Sequence, residues 1–237
     1  MLPSPRTFRA RLCARLTLAC LASASLAAPA VAADNDTQAW GAALANGPVR
    51  GDLFLWLEGQ GRATDDVGGG SQFIVRPAIG ARIAPDAHAV VGYAYVRTAP
   101  ETGRTTNEHR IWQQVQFAPV RHAGGAPKVI SRTRLEQRMF EGRDDTGWRL
   151  RQLVRFQTPI SGDGKVLAIA FAEGFVNVNT TDWGARDGLD QVRTFVGVGF
   201  PIASGLRLEP GYLNQYVVRR GEDRVNHVFS ATLIKPL

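Results

Sequence analysis

The stretch that decides the fold is Val129-Ile-Ser-Arg-Thr-Arg-Leu-Glu-Gln-Arg-Met-Phe140. Charged and apolar side chains alternate along it with a period of two. One set of positions carries Arg132, Arg134, Glu136 and Arg138, and the other carries Val129, Thr133, Leu135 and Met139. Successive side chains of a β-strand point to opposite faces, so the pattern predicts a strand with one charged face and one mostly apolar face.

The same alternation recurs on both sides of this segment. Arg149, Arg151 and Arg155 alternate with apolar residues in the next segment, and similar patterns surround Arg76 and Arg193. Clusters rich in Gly, Pro, Asp and Asn separate segments of about 10–15 residues, a spacing typical of strands joined by turns. The sequence therefore predicts an all-β meander in a single domain.

Two architectures could use such strands. A soluble sandwich or lipocalin-like barrel buries the apolar face, whereas a membrane barrel turns it to lipid and encloses the charges. Segment length favours the membrane barrel, because about 12 tilted residues span roughly 30 Å. Aromatic residues near segment ends, typical of membrane interfaces, also favour it: Trp40, Trp112, Trp148, Tyr93, Tyr95, Tyr212 and Tyr216.

We therefore expect an all-β fold, a single antiparallel outer-membrane β-barrel of about ten to twelve strands in an up-and-down meander. A soluble periplasmic β-barrel binding protein stays open as the alternative.

The first 32 residues have the plan of a secretory signal peptide. They carry four arginines and no acid, then an apolar stretch and the small-x-small site Ala30-Val-Ala32. Cleavage there leaves residues 33–237 as one barrel domain and removes both cysteines, which excludes disulfides and thiolate metal sites from it. The net charge falls from +7 to about +3, so the main argument for nucleic-acid binding is lost and we expect no nucleic-acid partner.

Several phrases together resemble a known family. They include Trp56-Leu-Glu-Gly-Gln60, Glu108-His-Arg-Ile-Trp-Gln-Gln114, Ser131-Arg-Thr-Arg-Leu-Glu-Gln-Arg138 and Glu209-Pro-Gly-Tyr-Leu-Asn-Gln-Tyr216. In identity and order they are similar to the bacterial family called domain of unknown function 2490, a set of uncharacterised exported proteins. The resemblance runs from about residue 37 to 233. It implies an outer-membrane barrel, and it implies no activity, ligand or catalytic residue.

The charged face predicts a network inside the barrel, because a charge in a narrow lumen is costly unless it is paired. One interpretation is a salt-bridge network that fills the lumen, and the other is an arginine-lined path that prefers anions such as carboxylates or phosphates. The residues assigned to this lumen network are Glu58, Arg76, Glu108, Arg132, Arg134, Glu136, Arg138, Arg149, Arg151, Arg155, Glu173, Arg193 and Glu209.

Catalytic and metal motifs are missing from the sequence. It has no G-x-S-x-G and no H-E-x-x-H, and its four histidines are not at ligand spacing. We expect a non-catalytic protein without a cofactor, whose partners are outer-membrane lipid and, during biogenesis, the outer-membrane assembly machinery. An outer-membrane lipid-modifying enzyme stays open as an alternative.

Loop lengths predict the topology. Ten segments between residues 53 and 233 place both ends in the periplasm, and residues 37–45 form an eleventh segment that an even-numbered barrel does not accommodate. The long polar loops 64–71, 98–107 and 180–188 are expected outside the cell. The turns 84–87, 118–127 and 201–205 are expected in the periplasm.

Overall fold

The computed structural model describes residues 34–64, 66, 69–120 and 128–237. The predicted signal peptide lies outside the described residues. The described residues form eleven strands. They are β1 (Asp34–Arg50), β2 (Leu53–Thr64), β3 (Gly70–Ala84), β4 (Ala87–Ala99), β5 (Thr106–Val120), β6 (Lys128–Phe140), β7 (Thr146–Pro159), β8 (Leu167–Asn177), β9 (Gly188–Ala203), β10 (Leu206–Val217) and β11 (Arg224–Pro236).

The strands form one closed barrel in which each pairs with its sequence neighbours. Every consecutive pair is antiparallel, so the predicted all-β, up-and-down barrel is confirmed. Closure differs from the prediction, because β1 and β11 pair in parallel from Asp34 beside Arg224 to Asn46 beside Pro236. An up-and-down chain reverses direction at each turn, so the first and last of eleven strands run the same way and can pair only in parallel.

The eleventh segment is thus a full barrel strand, and this changes the placement of the chain ends. Asp34 begins β1 at one end of the barrel and Pro236 ends β11 at the other. The expectation that both ends lie on the same side is therefore wrong. It followed from counting the ten strands that begin at Leu53 and leaving β1 out.

The two ends of the barrel differ in their connections. We call the end that carries 100–105, 141–145, 178–187 and 218–223 the loop end, and the end that carries 51–52, 85–86, 160–166 and 204–205 the turn end. The predicted loops 98–107 and 180–188 lie together at the loop end, as do the described residues at either end of 64–71. The turns 84–87 and 201–205 lie at the turn end, whereas residues 121–127 of the third lie outside the described residues.

The strands are strongly staggered. The stagger can be counted by starting at Pro48 in β1 and stepping from each residue to its partner on the next strand. One full circuit of the barrel returns to β1 at Asp34, which is 14 residues away from Pro48. On eleven strands this stagger corresponds to a tilt of about 40° and an interior wider than that of an eight-stranded barrel. Because the displacement is even, inward and outward positions alternate without interruption around the wall.

The outer face is apolar over its middle. Large side chains such as Leu57, Phe73 and Val154 are about half exposed there. The inner face buries charged residues instead, with Arg134 and Glu136 both 1% exposed. No helix among the described residues is long and apolar enough to cross a membrane.

Two of the predicted interface aromatics face inward. Trp112 is fully buried in an apolar cluster with Trp56 and Val90, and Trp40 packs against a second cluster. The expectation that Trp40 and Trp112 belong to an interfacial ring is therefore wrong. Trp40 lies two residues after Gln38, and Trp112 lies two residues before Gln114. Both glutamines point inward, and residues two positions apart in a strand point to the same face. Gly92 makes room for Trp112, since a Cβ there would lie 2.6 Å from its ring.

The outward aromatics form two similar pairs at the loop end. The Tyr93 hydroxyl lies 2.5 Å from Nδ1 of His109, and the Tyr212 hydroxyl lies 2.6 Å from Nδ1 of His227. Each pair joins neighbouring antiparallel strands, β4 with β5 and β10 with β11. The repeated arrangement marks a polar–aromatic band on the outer wall.

The parallel closure predicts a specific cross-link. Ala43 and Leu233 are paired outward residues of β1 and β11, about 5 Å apart, which is within reach of a disulfide. We expect Ala43→Cys with Leu233→Cys to form an intramolecular disulfide in high yield, seen as a mass loss of two hydrogens and altered mobility without reductant. Ala43→Cys with Ala172→Cys, on the distant strand β8, should stay reduced. Efficient linkage in this control pair, or none in the first, would contradict the closure.

Candidate functional site

The barrel interior is the candidate site. All residues of the predicted lumen network have their side chains on the inner face: Glu58, Arg76, Glu108, Arg132, Arg134, Glu136, Arg138, Arg149, Arg151, Arg155, Glu173, Arg193 and Glu209. Sequence reasoning missed Arg62, Arg110, Asp190 and Arg207. The first two could have been found, since Arg62 and Arg110 lie four and two residues from Glu58 and Glu108 and share their phase.

The centre of the network is a chain of charges across β6, β7 and β8. Arg151 donates from Nη1 to Glu136 at 2.6 Å and from Nη2 to Glu173 at 2.8 Å. Arg149 donates a second bond to Glu136 at 2.7 Å, and Arg132 donates to Glu173 at 2.9 Å. Cross-strand neighbours and long side chains make this possible, since Glu136 pairs directly with Arg149. Glu136 and Glu173 are thus each shared by two arginines, and every charged group of this β6–β8 network is paired.

A second cluster lies toward the loop end. Glu108 accepts a bidentate pair of bonds from Arg110, both at 2.7 Å, and further bonds from Arg138 at 2.5 and 3.3 Å. Asp190 on β9 accepts a hydrogen bond from Arg149 on β7 at 3.0 Å, which connects β9 to the network. Bidentate geometry gives these pairs a fixed orientation as well as energy.

Two further pairs extend the network toward the turn end. Glu58 accepts a bond from Arg76 at 2.7 Å and one from the Trp56 indole at 3.0 Å. Glu209 accepts from Arg155 at 2.8 Å, while Arg207 stays 3.9 Å away. Each inward glutamate of the predicted network therefore has at least one arginine in hydrogen-bond contact.

Arg134 is held largely without an acid. Its guanidinium lies 4.2 Å from the Trp112 ring centroid and donates two bonds to Oε1 of Gln114. The nearest carboxylate oxygen, on Glu136, is 3.7 Å from Nη1, which has no hydrogen-bond partner. Ring stacking and an amide acceptor thus replace part of the missing countercharge.

Among the described residues, neither Arg62 nor Arg193 forms a salt bridge, although Glu173 is the cross-strand neighbour of Arg193. Arg62 donates to Gln72 at 2.9 Å and to Gln60 at 2.8 Å, and Arg193 donates to Gln191 at 3.2 Å. Both guanidiniums lie against Trp40, at 3.9 and 5.0 Å from its ring centroid. In each, the buried Nε–H has no acceptor. These two cations remain available to a ligand.

Two cavities lie beside the charge network inside the barrel, and we call them the turn-side and the loop-side chamber. The turn-side chamber has a volume of about 390 Å³, and Glu58, Glu173 and Glu209 are among its lining residues. The loop-side chamber has a volume of about 190 Å³. Its lining contains seven arginines and no acid: Arg62, Arg76, Arg110, Arg138, Arg149, Arg151 and Arg193. The chambers share Gln60, Arg62, Arg76, Arg151 and Arg193, which form the constriction between them.

The loop of residues 178–187 packs over the rim beside the loop-side chamber. The Trp183 ring lies 4.5 Å from that of Phe140 and 5.0 Å from the Arg138 guanidinium, and its indole donates to the backbone of Asp145. Gly147 admits this ring, because a Cβ there would lie 2.4 Å from it. The loop thus narrows the loop end on the side of β6 and β7.

Outside the lumen, the most organised polar group is the chain Tyr93–His109–Glu141 at the loop end. Nε2 of His109 lies 3.2 Å from the Glu141 carboxylate. The pKa of Glu141 lies below its ordinary value, chiefly because Asn107 donates a hydrogen bond to it and then because His109 contacts it. In the described part of the chain, no group of three or more His, Cys, Asp or Glu could hold a metal ion.

Comparisons with known proteins identify the family to which this chain belongs. The family model described as protein of unknown function (DUF2490) matches residues 37–226. An uncharacterised protein of Methylorubrum extorquens is 36% identical over 222 residues, which cover 92% of this chain and 96% of that protein.

Among solved structures, the siderophore receptor PirA of Pseudomonas aeruginosa matches with a TM-score of 0.28 and 13% identity over 72% of this chain. The match spans 32% of that receptor. At this score the likeness carries no argument about function.

The central network predicts a large loss of stability when its shared acid is removed. Glu136→Gln leaves Arg149 and Arg151 without one carboxylate, so we expect the free energy of unfolding to fall by roughly 3–5 kcal/mol. Urea unfolding of the purified protein, followed by tryptophan fluorescence, measures it. The control Glu141→Gln, on an exposed loop, should shift the midpoint little. Equal midpoints for the two variants would contradict the network's role.

Proposed function

We propose that this chain, which belongs to the DUF2490 family of proteins of unknown function, is an outer-membrane β-barrel with a narrow, anion-preferring passage and no catalytic activity. The observation that carries the proposal is the loop-side chamber, whose lining holds seven arginines and no acid. Guanidinium groups bind carboxylates and phosphates in a bidentate manner, and rings of them favour anions in pores.

The outer wall supports the location in a membrane. Its middle exposes Leu57, Phe73, Val91, Ile111 and Val154, each about half accessible, a surface that water does not favour. A soluble barrel of the same strands would turn these residues inward and the arginines outward, the reverse of the observed faces. The predicted signal peptide and the tyrosine band at the loop end agree with the outer membrane.

The size of the interior supports a narrow passage. The loop-side chamber holds about 190 Å³, and long arginine side chains form the constriction beside it. Five of the seven arginines that line this chamber are tied to glutamates, which fixes them in the lumen. Such an interior is largely occluded, and any path through it runs between cations.

The repeated Tyr–His pairs support the proposed lack of catalytic activity. Tyr93–His109–Glu141 has the form of a proton relay and is the observation that favours a lipid-modifying enzyme. The same arrangement recurs at Tyr212 and His227, where Asn35, 3.2 Å from Nε2, takes the place of the acid. A relay needs the acid, whereas a structural band needs only polar contacts, so the repeat favours the band.

Membrane location predicts the cost of a charge on the outer face. Leu135→Arg should place a guanidinium in lipid and cost roughly 2–4 kcal/mol near the bilayer centre, so less folded protein should accumulate. The measurement is the heat-modifiable band in outer-membrane fractions, compared with Leu135→Ala and the inward Arg134→Lys, which should be milder. Equal assembly of all three, or wild-type protein found only in the soluble periplasm, would contradict the location.

The arginine lining predicts the conduction. Purified protein in planar bilayers should show no conductance or a small anion-selective one, because the lumen is narrow and positively charged. Reversal potentials in asymmetric KCl measure the selectivity. The control is heat-denatured protein at the same concentration. Large, steady, cation-selective channels would refute both the narrow passage and the anion preference.

A further inference from the structure

We infer that the loop-side chamber is a binding site for one small tetrahedral oxyanion of the phosphate class, held by Arg62 and Arg193. The inference rests on the proposed anion passage and deepens it, because it assigns a resting place for the anion to two residues. It differs from general anion preference in requiring saturable binding at this one place.

Charge distribution selects these two residues. The other five arginines of the chamber each contact a glutamate: Arg76 contacts Glu58, Arg110 and Arg138 contact Glu108, and Arg149 and Arg151 contact Glu136. Arg62 and Arg193 contact only amide oxygens and aromatic rings among the described residues. Glu173 is the cross-strand neighbour of Arg193, but its carboxylate bonds to Arg132 and Arg151 instead, so a bound dianion would give Arg62 and Arg193 the direct anionic partner that each lacks.

Geometry places the two cations together and holds them still. Both lie against the Trp40 ring, at 3.9 and 5.0 Å from its centroid, so their guanidinium carbons are no more than about 9 Å apart. Both side chains also line the loop-side chamber, so one oxyanion held there has both arginines beside it. The Nε–H groups of Arg62, Arg193 and Arg76 are buried and have no acceptor.

Size and lining define the ligand class. A volume of about 190 Å³ is room for roughly six waters, enough for one tetrahedral oxyanion with some of its hydration but too little for a nucleotide. Gln60, Gln72, Gln191 and Gln215 add amide groups for the remaining oxygens. Chloride offers no separate oxygens for the fork of a guanidinium, so phosphate should be preferred over it.

The turn-side chamber does not meet these conditions. It is larger, about 390 Å³, and Glu58, Glu173 and Glu209 line it beside its arginines. Carboxylates there repel an oxyanion and already occupy the guanidiniums of Arg132 and Arg155. The two chambers meet at Arg62 and Arg193, so an anion that crosses the barrel passes the proposed site.

The test is isothermal titration calorimetry of the folded, detergent-solubilised barrel with inorganic phosphate at low ionic strength. We expect one saturable site in the wild type and at least tenfold weaker binding in Arg62→Gln and in Arg193→Gln. Arg62→Lys and Arg193→Lys keep the charge but lose the fork, so they should be intermediate. They also supply the comparison if a Gln variant fails to fold. A hundredfold excess of chloride should not displace phosphate.

Arg97→Gln is the matched control. Arg97 is exposed on the outer face near the loop end, and the same substitution there should leave the phosphate affinity within twofold. No saturable binding, equal weakening by Arg97→Gln, unchanged affinity in both lumen variants, or displacement by succinate as readily as by phosphate would each overturn the inference.

Conductance measured without phosphate, compared with the binding data, distinguishes failure of the proposed binding site from failure of the proposed passage. An anion-selective barrel that binds no phosphate keeps the passage and refutes the site. A barrel with large, cation-selective conductance and saturable phosphate binding keeps the site and refutes the passage.

Discussion

Neutralising guanidinium groups inside a closed barrel is the constraint on which this structure depends. Removing a charge from water costs several kcal/mol, so each inward arginine needs a carboxylate, an amide or an aromatic ring beside it. Arg151 meets this need by bridging Glu136 and Glu173, and Arg134 meets it with Gln114 and Trp112. The lining of the loop-side chamber contains arginines and no acid. Arginine charge is therefore neutralised in most of the lumen, whereas this chamber keeps a positive lining.

The alternation in residues 129–140 was enough to predict the β class, the meander and the charged face, because strand phase is a local property. The family was predictable from short phrases, and the match over residues 37–226 confirms it. The pairing partners were not predictable. Arg132 reaches Glu173, 41 positions away, and that contact depends on the stagger around the whole barrel.

The errors have the same origin. Trp40 and Trp112 were assigned to an interface from their position near segment ends, but strand phase turns them inward, where Trp112 fills space beside Gly92. The parallel contact of β1 with β11 was missed because no local pattern signals it. The phase of Arg62 matches that of Glu58 and is enough to place it on the inner face, but its amide partners Gln60 and Gln72 carry no charge signal in the sequence.

The parallel seam has a consequence for the order of assembly. Asp34 and Arg224 are partners across 190 residues, so the seam is the contact of highest sequence separation in the barrel wall. Every other seam joins neighbours in the chain and can form as a local hairpin. Loop-closure entropy therefore makes this the most costly pairing to form, and until it forms β1 and β11 each present a free strand edge. Such edges are prone to pair with other chains until β1 and β11 meet.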